Sequence, residues 1–262
     1  MAKHEEFGDL REDLQRLSRR RMLGLFAALP LAGCLTANDE GDMTDAAASS
    51  SGDGGTCSTI PTETAGPYPA DGTNGPNALT ESGIVRANIT TSFGDSSGTA
   101  AGVPLTVTLT LVDSTTCSPL AGYAIYLWHC DRDGNYSLYT ATDQNYLRGV
   151  QVTDDNGQVT FTSIFPACYS GRWPHIHFEV YASVDEATNG SAKVAVSQLA
   201  MPKATCDVVY ATTGYSASVT NLAQITLATD NVFSDGATLQ IPAIAGSVSA
   251  GYAATLTAAI DV

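Results

Sequence analysis

Residues 169–180 read YSGRWPHIHFEV, and four side chains in this stretch have types that can do chemistry together: the phenol of Tyr169, the guanidinium of Arg172 and the imidazoles of His175 and His177. Histidine is the commonest metal ligand. On a β-strand, residues i and i+2 point to the same face, roughly 6.5–7 Å apart. His175 and His177 then share one face with Glu179, while Ile176, Phe178 and Val180 turn the other way into a core. Two imidazoles so spaced reach a single ion, although H-x-H alone is equally compatible with a hydrogen-bonded pair at a sheet edge. The other histidines are His4, near the N-terminus, and His129, so further ligands must be sought among other types. Tyr169 lies before His175 across a loop that can fold back, and Tyr136 follows the turn residues Asp133, Gly134 and Asn135. A phenol titrates at about 10, so it binds only an ion acidic enough to take its proton, which favours a hard trivalent ion. Two tyrosinates with two histidines would point to iron(III). In a chain with 11 tyrosines, either one is as readily a packing residue.

The elements that must position these groups read as strands. PLTVTLTLVD over 104–113, GQVTFTSI over 157–164 and HIHFEV over 175–180 alternate apolar with polar residues. Gly, Asp, Asn and Pro turns separate them, and Thr, Val, Ser and Tyr suit half-buried pleated surfaces. No run of helical period stands out in the body of the chain. The fold class expected is all-β, an antiparallel β-sandwich forming a single catalytic domain over 59–262.

The chain has 262 residues, a length one all-β domain can occupy. Its first 33 residues read as an export signal. Arg19, Arg20 and Arg21 precede an apolar stretch that ends in LAGC, a twin-arginine-like layout with a lipobox in which Cys34 would carry lipid. The apolar stretch is shorter than the roughly 20 residues of a spanning helix. Residues 34–58, rich in Gly, Ser, Ala and Asp, read as a flexible tether. The expected location is therefore outside the cytoplasm, lipid-anchored to a bacterial cell envelope or secreted. With 27 acidic against 12 basic residues, nucleic acid is excluded as a partner, because phosphate binding needs clustered Lys and Arg. Beyond Cys34 the cysteines are Cys57, Cys117, Cys130, Cys168 and Cys206. In an oxidising compartment one or two disulfides and a free thiol are expected, with the pairing open.

Three stretches, PLAGYAIYLWHCDRDGNYS, YLRGVQVTDDNGQVTFTSIFPACYSGRWPHIHFEV and VAVSQLAMP, resemble the successive motifs of the intradiol ring-cleavage dioxygenases, the family of catechol and protocatechuate dioxygenases. The resemblance runs from about residue 100 to 205, in family order, with a weaker echo in TETAGPYPADG. It implies a β-sandwich holding non-haem Fe(III) between Tyr136, Tyr169, His175 and His177. It further implies Arg172 as a charge-stabilising group, Gln198 as a supporting glutamine, Tyr169 as a base that departs when substrate binds, and a catechol-like aromatic and O2 as reactants. Tyr68, in GPYP, would line the substrate space; Trp128 and His129 would be strand support; Trp173 would wall the pocket or pack. The chain passes from tether to strands without the helical domain of the catechol and hydroxyquinol enzymes, which implies the protocatechuate-type or secreted single-domain branch. The rival reading is a cell-surface sandwich that binds a metal or catecholate without turnover.

Overall fold

The computed structural model describes residues 57–188 and 192–262; the expected export signal, Cys34 and all but the last two residues of the tether lie outside the described residues. Among the described residues eight strands form two four-stranded sheets. One sheet has the order β4–β1–β8–β7, from Gln158–Ile164, Pro104–Asp113, Gly251–Ile260 and Ala243–Ser247; the other has the order β3–β2–β5–β6, from Arg148–Val152, Ala124–Trp128, His175–Tyr181 and Ala195–Ala200. The core between them takes Leu105, Val107, Leu109 and Leu111 from β1 and Ile125 and Leu127 from β2. Ile176, Phe178 and Val180 of β5 join them, so the period-two alternation in β1 and β5 is the inward face of a sandwich. The expected class holds with one departure, since β1 and β8 pair in parallel from Leu105↔Tyr252 to Asp113↔Ile260.

Among the described residues three short helices interrupt the strands: α1 at Val184–Thr188, α2 at Lys203–Tyr210 and α3 at Ser216–Leu222. At little more than two turns at most they carry too little periodicity to be read from sequence, and their hold comes from buried anchors such as Cys206, Val209 and Leu222. Among the described residues no helix is long and apolar enough to cross a membrane.

One disulfide, Cys57–Cys117, joins the N-terminal segment to the end of β1, while Cys130, Cys168 and Cys206 are free, buried thiols. Of the one or two disulfides expected, one is formed, and among the described residues three thiols rather than one are left unpaired. From this staple the segment runs beside β8, where the Ile60 N–H donates to the Ala259 carbonyl, and then beside β6, where the Glu63 N–H donates to the Val196 carbonyl. It ends as a strap over the polar face of β5.

Candidate active site

That polar face is where the predicted chemistry gathers. His175, His177 and Glu179 project from β5 away from the sandwich core and are all but fully buried, covered by the strap and by the loops that bear the two tyrosines. Gly66 of the strap has φ +70°, and a Cβ there would lie 3.3 Å from His177 Cε1. Only glycine combines that backbone with so close an approach.

Each tyrosine is fixed by its own loop. Ahead of Tyr136 the turn closes on Asp131, whose Oδ1 accepts the Asp133 and Asn135 N–H groups at 2.9 Å each. After it, Ser137 is gripped by Arg148. This buried guanidinium donates to Ser137 Oγ (3.0 Å), the Ser137 carbonyl (2.9 Å), the Tyr68 carbonyl (3.0 Å), the Pro69 carbonyl (2.9 Å) and Tyr126 Oη (3.0 Å). Arg148 thus ties the Tyr136 loop to the strap. Tyr169 sits on a stem held by α3, where Ser218 Oγ accepts the Cys168 N–H at 3.0 Å and Asn221 donates to the Cys168 carbonyl at 2.8 Å. Gly134 makes room for it, since a Cβ there would lie 3.2 Å from Tyr169 Cβ.

The two phenols and two imidazoles converge. The Oη atoms of Tyr136 and Tyr169 each lie 3.3 Å from His175 Nε2, and the His175 and His177 rings stand 4.7 Å apart, nearly perpendicular. His175 Nδ1 is 2.5 Å from the Trp173 carbonyl. A carbonyl can only accept, so the proton sits on Nδ1 and Nε2 bears the lone pair. One lone pair cannot serve two phenols, whereas one cation can be shared by all three. His177 lies flat on Trp128, ring centroids 4.8 Å apart, and its Nδ1 is buried without a hydrogen-bond partner.

Electrostatics sorts the protons. Burial, seconded by the Arg172 charge, pushes His175 down to about 3; burial and the neighbouring His175 hold His177 well below its ordinary value. Both imidazoles are neutral at physiological pH and ready to donate a lone pair. Burial raises the Tyr169 phenol to about 12 and, with Tyr169 beside it, the Tyr136 phenol well above its ordinary range. Among the described residues no three His, Cys, Asp or Glu side chains form a metal-binding group, so an ion here must draw on the phenols. An ion able to deprotonate them is a hard, strongly acidic one. The residues present fit a tyrosinate–histidine site for Fe(III).

Arg172 and Gln198 lie beside this quartet. Gln198 pairs with His177 across the β5–β6 ladder; its Oε1 accepts from Arg172 Nη2 at 2.8 Å and its Nε2 donates to the Thr64 carbonyl of the strap at 2.8 Å. Arg172 also forms a salt bridge through Nε to Asp230 Oδ2, at 2.9 Å. Asp230 has no solvent exposure and further accepts the N–H groups of Trp173 (2.6 Å), Val232 (2.8 Å) and Phe233 (3.0 Å).

All six residues expected from the sequence are thus brought together, and Tyr68 joins them with its ring 4.8 Å from that of Tyr136. Trp173 packs in the core and donates through Nε1 to the Met201 carbonyl. His129 is strand support, bonded to the Cys130 carbonyl and Ser163 Oγ. Asp230 and Arg148 were not expected, nor was the strap beyond Tyr68. Asp230 is 58 residues from its partner in a stretch without a motif. Arg148 lies within a quoted motif, and an arginine among apolar strand residues was the available signal.

Comparison with known proteins agrees with the geometry. A family model described as Dioxygenase matches residues 74–214. The solved intradiol ring-cleavage dioxygenase from Tetranychus urticae is 30% identical, with 78% of this chain and 95% of that one covered and a TM-score of 0.61. The chlorocatechol 1,2-dioxygenase of Rhodococcus opacus is 40% identical over 60 residues, 22% of this chain and 23% of that protein's length. A family model that takes in both tyrosine loops, β5 and β6, joined to a shared fold along almost the whole of the Tetranychus urticae protein, makes this chain a member of the intradiol ring-cleavage dioxygenase family.

Proposed function

We propose that the chain is a non-haem Fe(III) dioxygenase that opens a catechol-type ring between its two hydroxylated carbons. That carbon–carbon bond breaks, both atoms of O2 enter the product, and the result is a muconate-type diacid. Tyr136, Tyr169, His175 and His177 would hold the ion. When bound, Fe(III) supplies Lewis acidity toward the catechol oxygens and the electron-accepting character that lets the ring meet O2. Tyr169, the less buried of the two tyrosines, accepts a substrate hydroxyl proton at Oη when present as the phenolate. Arg172, aimed by Asp230 and Gln198, stabilises negative charge that develops on the ring, a donor fixed before the reaction begins. The strap, with Tyr68 as an aromatic wall, keeps bulk water from the buried imidazoles. By the N-terminal pattern the enzyme works outside the cytoplasm, held by lipid at Cys34 or released.

The observation that carries this reading is the pair of phenol oxygens at 3.3 Å from a histidine nitrogen whose tautomer is fixed from behind. The test is the visible spectrum of the iron-loaded full chain before and after catechol, with O2 consumption followed in parallel. A broad tyrosinate-to-iron band that shifts with catechol, together with O2 uptake, is expected. A protein that stays colourless after aerobic iron loading would overturn the reading, and a stoichiometric colour change without O2 uptake would mark a catecholate-binding sandwich instead.

A further inference from the structure

The two histidines that would hold the ion are fixed in different ways. A metal-ligating imidazole ordinarily has its second ring nitrogen hydrogen-bonded to a carbonyl or carboxylate, and that bond sets the orientation of the ring. His175 follows this pattern, with Nδ1 against the Trp173 carbonyl. His177 does not, since its Nδ1 is buried with no hydrogen-bond partner among the described residues. No such bond opposes rotation of the ring about χ2, and a turn would carry its lone pair away from the point on which His175 and the two phenols converge.

What lies against the ring is Trp128. It stands directly opposite His177 in the antiparallel ladder of β2 and β5, the position from which cross-strand side chains touch. The indole and the imidazole are parallel to within 4°, with centroids 4.8 Å apart. Any turn of the imidazole about χ2 drives a ring edge into the indole. The indole is itself held, because Tyr126 stacks on it at 4.9 Å and 22°. Tyr126 Oη in turn donates to the Pro69 carbonyl at 2.8 Å and accepts from Arg148 at 3.0 Å. The pile of three rings is thus anchored at the Arg148 clamp and ends on His177. Trp128 has no solvent exposure, and its Nε1–H is buried without an acceptor. An unpaired buried donor is a cost, and a side chain that only filled space would not carry one.

We infer that Trp128 is the positioning residue of His177: its stacked indole, in place of a hydrogen bond, sets the plane in which His177 offers its lone pair to an ion. The inference rests on the ligand set of the proposed function. The ring geometry it invokes needs no metal, however, so the two can fail separately.

The experiment has a metal-free arm and an iron arm, both on the full chain. In the first, NMR of histidine-labelled protein follows the His177 ring, assigned by its loss in His177→Gln. In the native protein its ring protons should lie upfield, shielded by the indole, as a single set. In Trp128→Leu they should return to the ordinary range and broaden or double as the ring takes other orientations. In the second arm, Trp128→Leu should hold Fe(III) against a competing chelator about tenfold less tightly, the scale of losing an outer partner of a metal-bound histidine, and its tyrosinate-to-iron band should move. Trp128→Phe, which keeps a stacking face, should recover most of the retention. Phe178→Leu, one residue away on the core side of β5, removes packing without touching the imidazole, and should leave the band and the iron retention unmoved. Unchanged His177 resonances and iron retention in a folded Trp128→Leu protein overturn the inference, as does an equal loss of iron in Phe178→Leu, which would mark destabilisation alone. If Trp128→Leu does not fold, the native resonances and Trp128→Phe decide, and unshielded His177 protons in the native protein are refutation. Absence of a tyrosinate band in the iron-loaded native protein would refute the dioxygenase reading, while the metal-free arm would still report whether Trp128 fixes the ring.

Discussion

Removing the Cys57–Cys117 bond should cost far more stability than any contact it makes. The bridge closes a sequence separation of 60 residues, and the chain-entropy relation for a loop of that size gives about 4 kcal/mol at 298 K. That is a large share of the roughly 5–15 kcal/mol that holds an ordinary domain folded. The perturbation is the double change Cys57→Ser with Cys117→Ser, which leaves the buried thiols of Cys130, Cys168 and Cys206 in place and exposes no new one. Guanidinium unfolding of the full chain, followed by tryptophan fluorescence, measures the effect. The native protein under reducing agent is the internal control, since it should lose the same free energy with no change of sequence. The loss should also be felt at the site, because the bridge anchors the strap that carries Glu63, Gly66 and Tyr68, and hydrogen exchange over residues 60–70 should quicken in the variant. A stability change below about 1 kcal/mol would refute the reasoning, for it would mean that the denatured chain was not restrained by the cross-link.

Tyr136→Phe should lower the iron retained after dialysis at least tenfold and remove a large part of the visible band, read by elemental analysis and absorption; unchanged iron content would take Tyr136 out of the ligand set. Arg148→Lys replaces five donors with three, leaving two buried acceptors unpaired at about 1–3 kcal/mol each, and thermal unfolding should show a loss of that order. Burial raises the Glu63 carboxyl to about 7, with Asp235 and Asp230 adding to the rise and Gln240 and Arg172 opposing it. The folded state thus prefers Glu63 protonated, a stabilisation complete below the ordinary carboxylate range and lost as pH climbs through 7. Stability of Glu63→Gln relative to the native protein should therefore rise between pH 5 and 8; a flat difference would show that Glu63 titrates normally.

Sequence reading succeeded where the chemistry is local. The alternation of HIHFEV fixed which side chains of β5 face the site, because period two leaves no choice of face once one face must be core. Tyr169 sits in the same loop-and-strand unit, and Tyr136 was reached through a motif in which a turn must precede it. What escaped is what tertiary contact alone creates. Asp230 meets Arg172 because a 3₁₀ turn at Phe233–Asp235 closes against the loop before β5, and nothing in LATDNVF announces that. Arg172 holds a salt bridge to Asp230 together with the bond to Gln198, so one side chain braces the loop and faces the site. The pairing of Cys57 with Cys117 depends on a parallel strand contact between distant segments, which local patterns do not encode.

That parallel contact also dictates the order in which the molecule can be made. β8 lies between β1 and β7, so the central seam of one sheet joins Leu105 to Tyr252 and Val107 to Ala254. While a ribosome is still delivering the residues between them, β1 has β4 on one edge and open, unpaired backbone on the other. The seam closes only after β8 has emerged, and such distant pairing is slow because the entropy of a long loop must be overcome first. An interval in which an apolar strand edge stands exposed is one in which neighbouring chains can add to it. The nascent protein is therefore a natural client for a holding chaperone, and deletion of Gly251–Ile260 should yield aggregate rather than a smaller folded domain.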